Sequence, residues 1–375
     1  MVTFWGSKNG PHFRGSKVCF IVCQVTVFLS WAQWLLRAVL SPGRYVIVNL
    51  DETAVERVIP RRAGHVAAPR VRGVARPLMH ERVARAESHG HLTLVAIATP
   101  DAALQPLLPQ FILTKDDRLS VAERARLEGM AAPVMWYRGT NGWVTQDNFP
   151  SLLTALRRVL RDHRPGLEYV VVLDCAAQHM CGRVIGHAAR LGLHLMFVPS
   201  RLTYLLQPLD THVFARFKVE LHRLQCAARA EAASGALARC QWLDCLEQAI
   251  QNVIVRGQFE RAFAGNGLMG QPELVRAAVL DQVGSILPLP WRHPSDDELA
   301  TLMGRGALRE AGRICRPALR LMAAAPAPAG DLVFGAAADV PRAMRLDPPP
   351  LPPPLEPPPA DDAPIGHRTR SRLRL

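Results

Sequence analysis

Residues 169–173 read Tyr-Val-Val-Val-Leu, five apolar and mostly β-branched residues in a row, closed by Asp174. A strand with one wet face alternates polar and apolar side chains, so an unbroken run marks a strand covered on both faces. A second run, Tyr45 to Leu50, is closed by Asp51. Strands covered on both faces need helices on both sides of the sheet, which makes the fold class α/β. The hydrophobic fraction of 49% over 375 residues sustains a core of that kind.

The rest of the chain supplies the other layers. Leu92 to Ala98 and Leu107 to Leu113 read as two strands of an antiparallel hairpin around Thr99-Pro100-Asp101, and His194 to Val198 as a fifth strand. Helices are predicted over Asn148 to Leu160, capped by Asp147 or Asn148, over about Gly182 to Leu191, and over Pro208 to about Ala233. Pro208 suits a first helical turn, where no N–H is needed. The expectation is a mixed five-stranded sheet flanked by helices.

The flanks divide by composition. Residues 1–27 are expected to be a disordered or apolar leader, with 1–17 unstructured. Residues 28–270 form the main domain, 271–323 a helical extension, and 324–375 a disordered Pro-rich and basic tail. Arg-rich residues 56–87 read as a long loop. Val18 to Leu36 carries no charge and has the length of a membrane span, but Gln24, Ser30 and Gln33 interrupt it. Both readings stay open, and a helix covering the sheet is preferred to a membrane span. Scattered cysteines, eight in all, form no paired C-x-x-C units, which fits a reducing compartment.

The net charge of +13 comes almost wholly from arginine, since lysine is confined to Lys8, Lys17, Lys115 and Lys218. Arginine forks match phosphate oxygens, so a polyanionic partner fits; drift of composition toward Arg and Ala explains the excess equally well. No G-x-S-x-G elbow and no phosphate-binding G-x-x-x-x-G-K-[ST] loop is present.

Asp51, Asp174 and Asp210 fall at or just past the ends of predicted elements. In an α/β sheet the C-terminal strand ends converge on one edge, where ligands bind. Carboxylates meeting there suit a hard divalent cation and a phosphate, and phosphodiester cleavage then needs no protein nucleophile. Singly, each Asp is more often a turn or cap residue.

Jointly they resemble the DDE endonuclease domain of the pogo/Tigger/jerky-like transposases. Asn49-Leu50-Asp51-Glu52-Thr53 stands where that family has N-x-D-E-T. Leu173-Asp174, with His179 five residues on, stands where it has L-D-N and a histidine. The block from Pro199 through Thr203 to Gln207-Pro208-Leu209-Asp210, then Phe214, Phe217 and Lys218, stands where it has P-x-x-T-x-x-x-Q-P-L-D. Gly142-Trp143-Val144, Ala262-Phe263 and Gly267-Leu268 are further landmarks.

The resemblance implies an RNase H-like fold. It implies Asp51, Asp174 and Asp210 as catalytic ligands of Mg²⁺ or Mn²⁺, as a two-ion site, with Glu52 and His179 supporting them. The implied activity is metal-dependent DNA cleavage and strand transfer in the nucleus, on DNA and by a homodimer. A silent, domesticated nucleic-acid-binding protein is the alternative, favoured by Cys175 in place of the family's Asn and by the few residues ahead of Asp51, which leave no room for helix-turn-helix modules. The Pro-rich run reads as a spacer or as a ligand for an SH3- or WW-type domain.

Overall fold

The computed structural model describes residues 13–40, 43–56, 91–115, 119–139, 142–232, 237–269, 274–283, 294–295 and 297–298. All belong to the first of two units, residues 1–334; the second is 335–375. The Arg-rich segment 57–90, most of the expected helical extension and the Pro-rich tail with its SH3- or WW-type ligand therefore lie outside the described residues.

Six strands form one sheet: β1 (Tyr45–Glu56), β2 (His91–Ala98), β3 (Gln110–Lys115), β4 (Val134–Gly139), β5 (Glu168–Asp174) and β6 (Leu193–Val198). Their order is β4-β3-β2-β1-β5-β6. β2 pairs antiparallel with β1 and β3, while β5 pairs parallel with β1 and β6, and β4 parallel with β3. This is a mixed sheet flanked by helices, with one strand more than expected. The added strand, β4, extends the sheet beyond β3. Its sequence, Val-Met-Trp-Tyr-Arg-Gly, is only partly buried, so it lacks the continuous apolar signature of β5. Among the described residues the α-helices are α1 (Phe13–Gln33), α2 (Val121–Glu128), α3 (Phe149–His163), α4 (Gly182–Arg190), α5 (Thr203–Leu206), α6 (Phe214–Glu231), α7 (Arg239–Ile250), α8 (Glu260–Gly265) and α9 (Ala277–Val283).

The run that set the fold class behaves as expected: Tyr169 to Leu173 are all buried, as is every residue of β6. At about 25 cal/mol per Å² of apolar area, each fully buried Val or Leu there contributes about 1.5–3 kcal/mol. Parallel β5 and β6 are joined through α4, which packs on β6 and on α3. The helical turn Leu209–Val213 lies against β1 and β2, and Gln251–Val255 against β2 and the turn at Gln105–Leu107, whose Gln105 amide donates to the Ile254 carbonyl at 3.0 Å.

Several boundaries differ from the sequence reading. β1 runs six residues past Leu50, because Asp51-Glu52-Thr53-Ala54-Val55-Glu56 pairs with β2 as far as Glu56 against His91. Asp51, Thr53 and Val55 are buried while Ala54 is exposed, a two-residue period that the acidic residues disguise. The third strand starts at Gln110, since Gln105–Leu107 is a tight turn. Helix α1 begins inside the stretch expected to be unstructured and passes residue 27 without a break. Its Gln24, Ser30 and Gln33 are buried with Phe28 and Trp31, and it packs against α9. Among the described residues no helix is long and apolar enough to cross a membrane. The expected helix from Pro208 opens with a π-helical turn, Leu209–Val213, and continues as α6. Neither Asp147 nor Asn148 caps α3: the Asn148 carboxamide instead accepts from the Thr145 amide and donates to the Trp143 carbonyl.

Candidate active site

The sheet register brings the first two carboxylates together. Asn49 pairs with Val172 across the parallel β1–β5 ladder. Two residues further along each strand stand Asp51 and Asp174, where the pairing has stopped and the strand ends diverge. Asp51 does not end its strand; it lies where β1 leaves β5 and continues along β2 alone.

Asn49 sets the third. It is fully buried; its Nδ2 donates to the Val172 carbonyl at 3.1 Å and its Oδ1 accepts from the Leu209 amide at 2.9 Å. One side chain thereby ties β5 and the turn that carries Asp210 to β1. Asp210 is exposed in the first turn of that helix. Sequence reasoning registered Asn49 only as the first letter of a motif, although a buried carboxamide two residues before a carboxylate was a usable sign of a tether.

Asp51 feels both its burial and its acidic neighbours. Burial, then the charges of Asp210, Glu52 and Asp174, push the Asp51 carboxyl well above its usual range, against the Glu52 amide that donates to its Oδ1 at 2.8 Å.

His179 joins two of these groups. Its Nδ1 lies 2.6 Å from Asp174 Oδ1, its Nε2 lies 2.8 Å from Glu52 Oε1, and it is wholly buried, its ring 4.5 Å from that of Phe149. Burial alone would lower the imidazole, but the hydrogen bonds and charges of Asp174 and Glu52 outweigh it and raise His179 to about 10. Burial likewise would raise Asp174, yet the His179 contact and the Ala176 amide hold it below its ordinary value. Phe149 was not singled out in the sequence, and nothing short of the fold places it here.

Cys175, where the family has Asn, donates its thiol to the Val198 carbonyl at 3.0 Å. Burial and the neighbouring Asp174 push the thiol up to about 12, so it stays protonated. Just past β6, Arg201 adopts a left-handed backbone with φ of 67°, a conformation costly for a side chain with a Cβ. Lys218 is exposed on α6, beyond the turn that holds Asp210, and reads as part of the solvated face.

The donor set is all hard oxygen: Asp51, the second oxygen of Asp174, and Asp210. A divalent cation would offset the repulsion that now raises Asp51, so the residues fit such an ion. In the side-chain conformations present, no three His, Cys, Asp or Glu groups among the described residues are placed to hold one ion.

Residues 92–254 match the family model of the DDE superfamily endonuclease. The match takes in Asp174, His179 and Asp210 and begins after Asp51. No curated protein matches the chain. Among solved structures, the Mos1 mariner paired end complex with Mn is 15% identical over 76% of this chain and 68% of its own, with a TM-score of 0.40. The pre-cleavage Mos1 transpososome is 13% identical over 75% and 67%, with a TM-score of 0.41. Likeness at this level is too slight to carry a role to any residue.

Proposed function

We propose, for a chain that carries DDE-superfamily endonuclease sequence over residues 92–254, that it is a transposase-derived nuclease. It would cleave phosphodiester bonds in DNA with Mg²⁺ or Mn²⁺ at Asp51, Asp174 and Asp210. The observation that supports this most is the environment of Asp51, a carboxylate raised by burial and by the charges of Asp210, Glu52 and Asp174 at the edge where β1 and β5 part.

A divalent ion bound there would polarise the phosphodiester and activate an attacking water or 3′-hydroxyl. The protein's own part is positional. His179 holds Oδ1 of Asp174, which leaves Oδ2 as the oxygen for an ion. Glu52 is taken up by His179 and serves as its counter-charge rather than as a ligand. Asn49 fixes the backbone of the turn bearing Asp210. The pogo/Tigger/jerky-like branch, a homodimer on DNA and nuclear residence belong to the same reading; nuclear fractionation of the expressed protein tests the last.

A second reading, binding without cleavage, draws on the absence of a ready three-ligand cluster among the described residues. Nicking of a labelled duplex by the full-length protein with Mg²⁺ or Mn²⁺ separates the two. Cleavage that Asp174→Ala and Asp210→Ala both abolish supports the nuclease. Equal inertness of all three proteins, with DNA binding intact, supports the binder.

A further inference from the structure

Arginine concentrates on the outer face of the helix pair α3 and α4. Leu152, Leu153, Leu156 and Leu160 of α3 are buried, as are Val184, Ile185 and Ala188 of α4, which fixes the faces that turn to the core. Three contacts join the two segments in register: Arg183 with Asp147 just before α3, His187 Nε2 with Thr154 Oγ1 at 2.8 Å, and Arg157 Nε with the Leu191 carbonyl at 2.7 Å. The partners advance together along both segments, so the helices run in the same direction. Both start at the carboxylate site, since Phe149 lies against His179 and Gly182 follows His179 by three residues.

The helical period then lays two cationic stripes side by side. Thr154, Arg157, Arg158 and Arg161 fall at i, i+3, i+4 and i+7 on α3, and Arg183, His187 and Arg190 at i, i+4 and i+7 on α4. Arg158, Arg161, Arg183 and Arg190 are exposed. Arg161 and Arg183 meet the exposed Asp162 and Asp147, and surface pairs of that kind are weak. Arg158 and Arg190 have no carboxylate partner among the described residues, and Arg190 Nη2 instead faces His187 Nδ1 at 3.5 Å. Burial, then the charges of Arg190 and Arg183, lower His187. The other acids within 149–191 are engaged elsewhere, Glu168 with His194 and Asp174 with His179. Compositional drift would scatter arginine over the surface, whereas here cations crowd one another and repel, a cost that a polyanion removes.

We propose that the paired stripes of α3 and α4 form a docking surface for the sugar–phosphate backbone of duplex DNA, leading away from the carboxylate site along its flank. At about 1.5 Å per residue, Arg183 to Arg190 spans about 10 Å. One strand of the duplex advances by about 3.4 Å per phosphate, so the stripe covers about three phosphates. Guanidinium forks suit their oxygens, and contacts of this kind position a duplex without reading its sequence. Only the choice of DNA as the polyanion rests on the nuclease reading; the charge and its placement stand apart from it.

The test uses full-length protein in EDTA, so a failure of metal-dependent cleavage leaves it unaffected. A labelled duplex oligonucleotide is titrated by fluorescence anisotropy over a series of salt concentrations, with wild type, Arg158→Gln, Arg190→Gln and the double variant. Both side chains are exposed, so the variants should melt like wild type. Each substitution removes one phosphate contact and should lower the salt slope by about 0.9, and the double variant by about 1.8. Arg256→Gln, an exposed arginine after the turn Gln251–Val255, removes the same charge elsewhere and should leave the slope unchanged. Poly-glutamate, titrated in parallel, stands for an acidic protein. A wild type that binds no duplex, stripe variants that keep its slope, or an Arg256→Gln that loses as much slope as they do would each overturn the proposal. Weakening confined to poly-glutamate would overturn it too, and would assign the face to an acidic protein.

Discussion

Replacing His179 by Leu keeps apolar volume against Phe149 and deletes both contacts to Glu52 and Asp174. Each hydrogen bond to a charged group is worth about 1.5–3 kcal/mol, and breaking a buried ion pair from one side costs about 3–5 kcal/mol. The two bonds share one cation, so their sum overlaps with the pair energy, and a loss of about 3–5 kcal/mol is expected. At about 2–4 °C per kcal/mol for a domain of this size, the melting temperature falls by about 6–20 °C. The pH dependence has a definite sign. A histidine raised to about 10 contributes stability that is complete below its unfolded value near 6.5 and fades as pH climbs through about 10. The gap between wild type and His179→Leu should therefore be full at about pH 6 and narrow toward about pH 10. The assay is thermal and urea unfolding across that range, with Glu52→Gln made in both backgrounds. Glu52→Gln should destabilise wild type and be neutral or stabilising in the His179→Leu background, because its partner is gone. A cost under about 1 kcal/mol, or strict additivity of the two changes, would refute the clamp.

Other expectations follow from single contacts. Asn49→Leu strands the Leu209 amide and the Val172 carbonyl and should cost about 2–4 kcal/mol in urea unfolding, with loss of any cleavage activity. Asp101 receives Arg164 Nε at 2.7 Å and the amides of Ala103 and Leu104, contacts that outweigh its partial burial and lower its carboxyl. Its contribution is thus complete above about pH 4 and lost as pH falls through the lower folded value. Asp101→Asn should be less stable than wild type near neutral pH and converge with it in acid melts. Cys175, held as the thiol, should resist alkylation at about pH 7.5 while exposed Cys226 reacts, as mass spectrometry of iodoacetamide-treated protein would report.

β5 and the edge strand β6 were legible because both are buried on both faces and leave an unbroken apolar record. β4 left little trace, since Met135 and Tyr137 are not buried and no periodic signal accumulates in six residues. The length of β1 was hidden by Asp51 and Glu52, acidic residues that a strand tolerates only where the site needs them. Asp174 and Asp210 stand out in the sequence by spacing and motif. What the spacing could not show is that Asn49 ties three of these elements together, or that His179 spends both ring nitrogens on Glu52 and Asp174. Such contacts cross 127 positions of sequence between Glu52 and His179 and exist only once β1 and β5 are paired. The turn at Leu209–Val213 is wider than an α-helix, a local geometry set by its contacts with Asn49 and Gln207 rather than by helix propensity.

The central claim is that Asp51, Asp174 and Asp210 act as one cation site. Its most direct test is Mn²⁺ binding to the full-length protein, followed by electron paramagnetic resonance of the free ion, in wild type and in Asp51→Asn, Asp174→Asn and Asp210→Asn. The account predicts saturable binding by wild type that each substitution weakens by about tenfold or more, with Glu52→Gln much milder because Glu52 faces His179. Wild type that binds no Mn²⁺, or binding that all three substitutions leave unchanged, would contradict it.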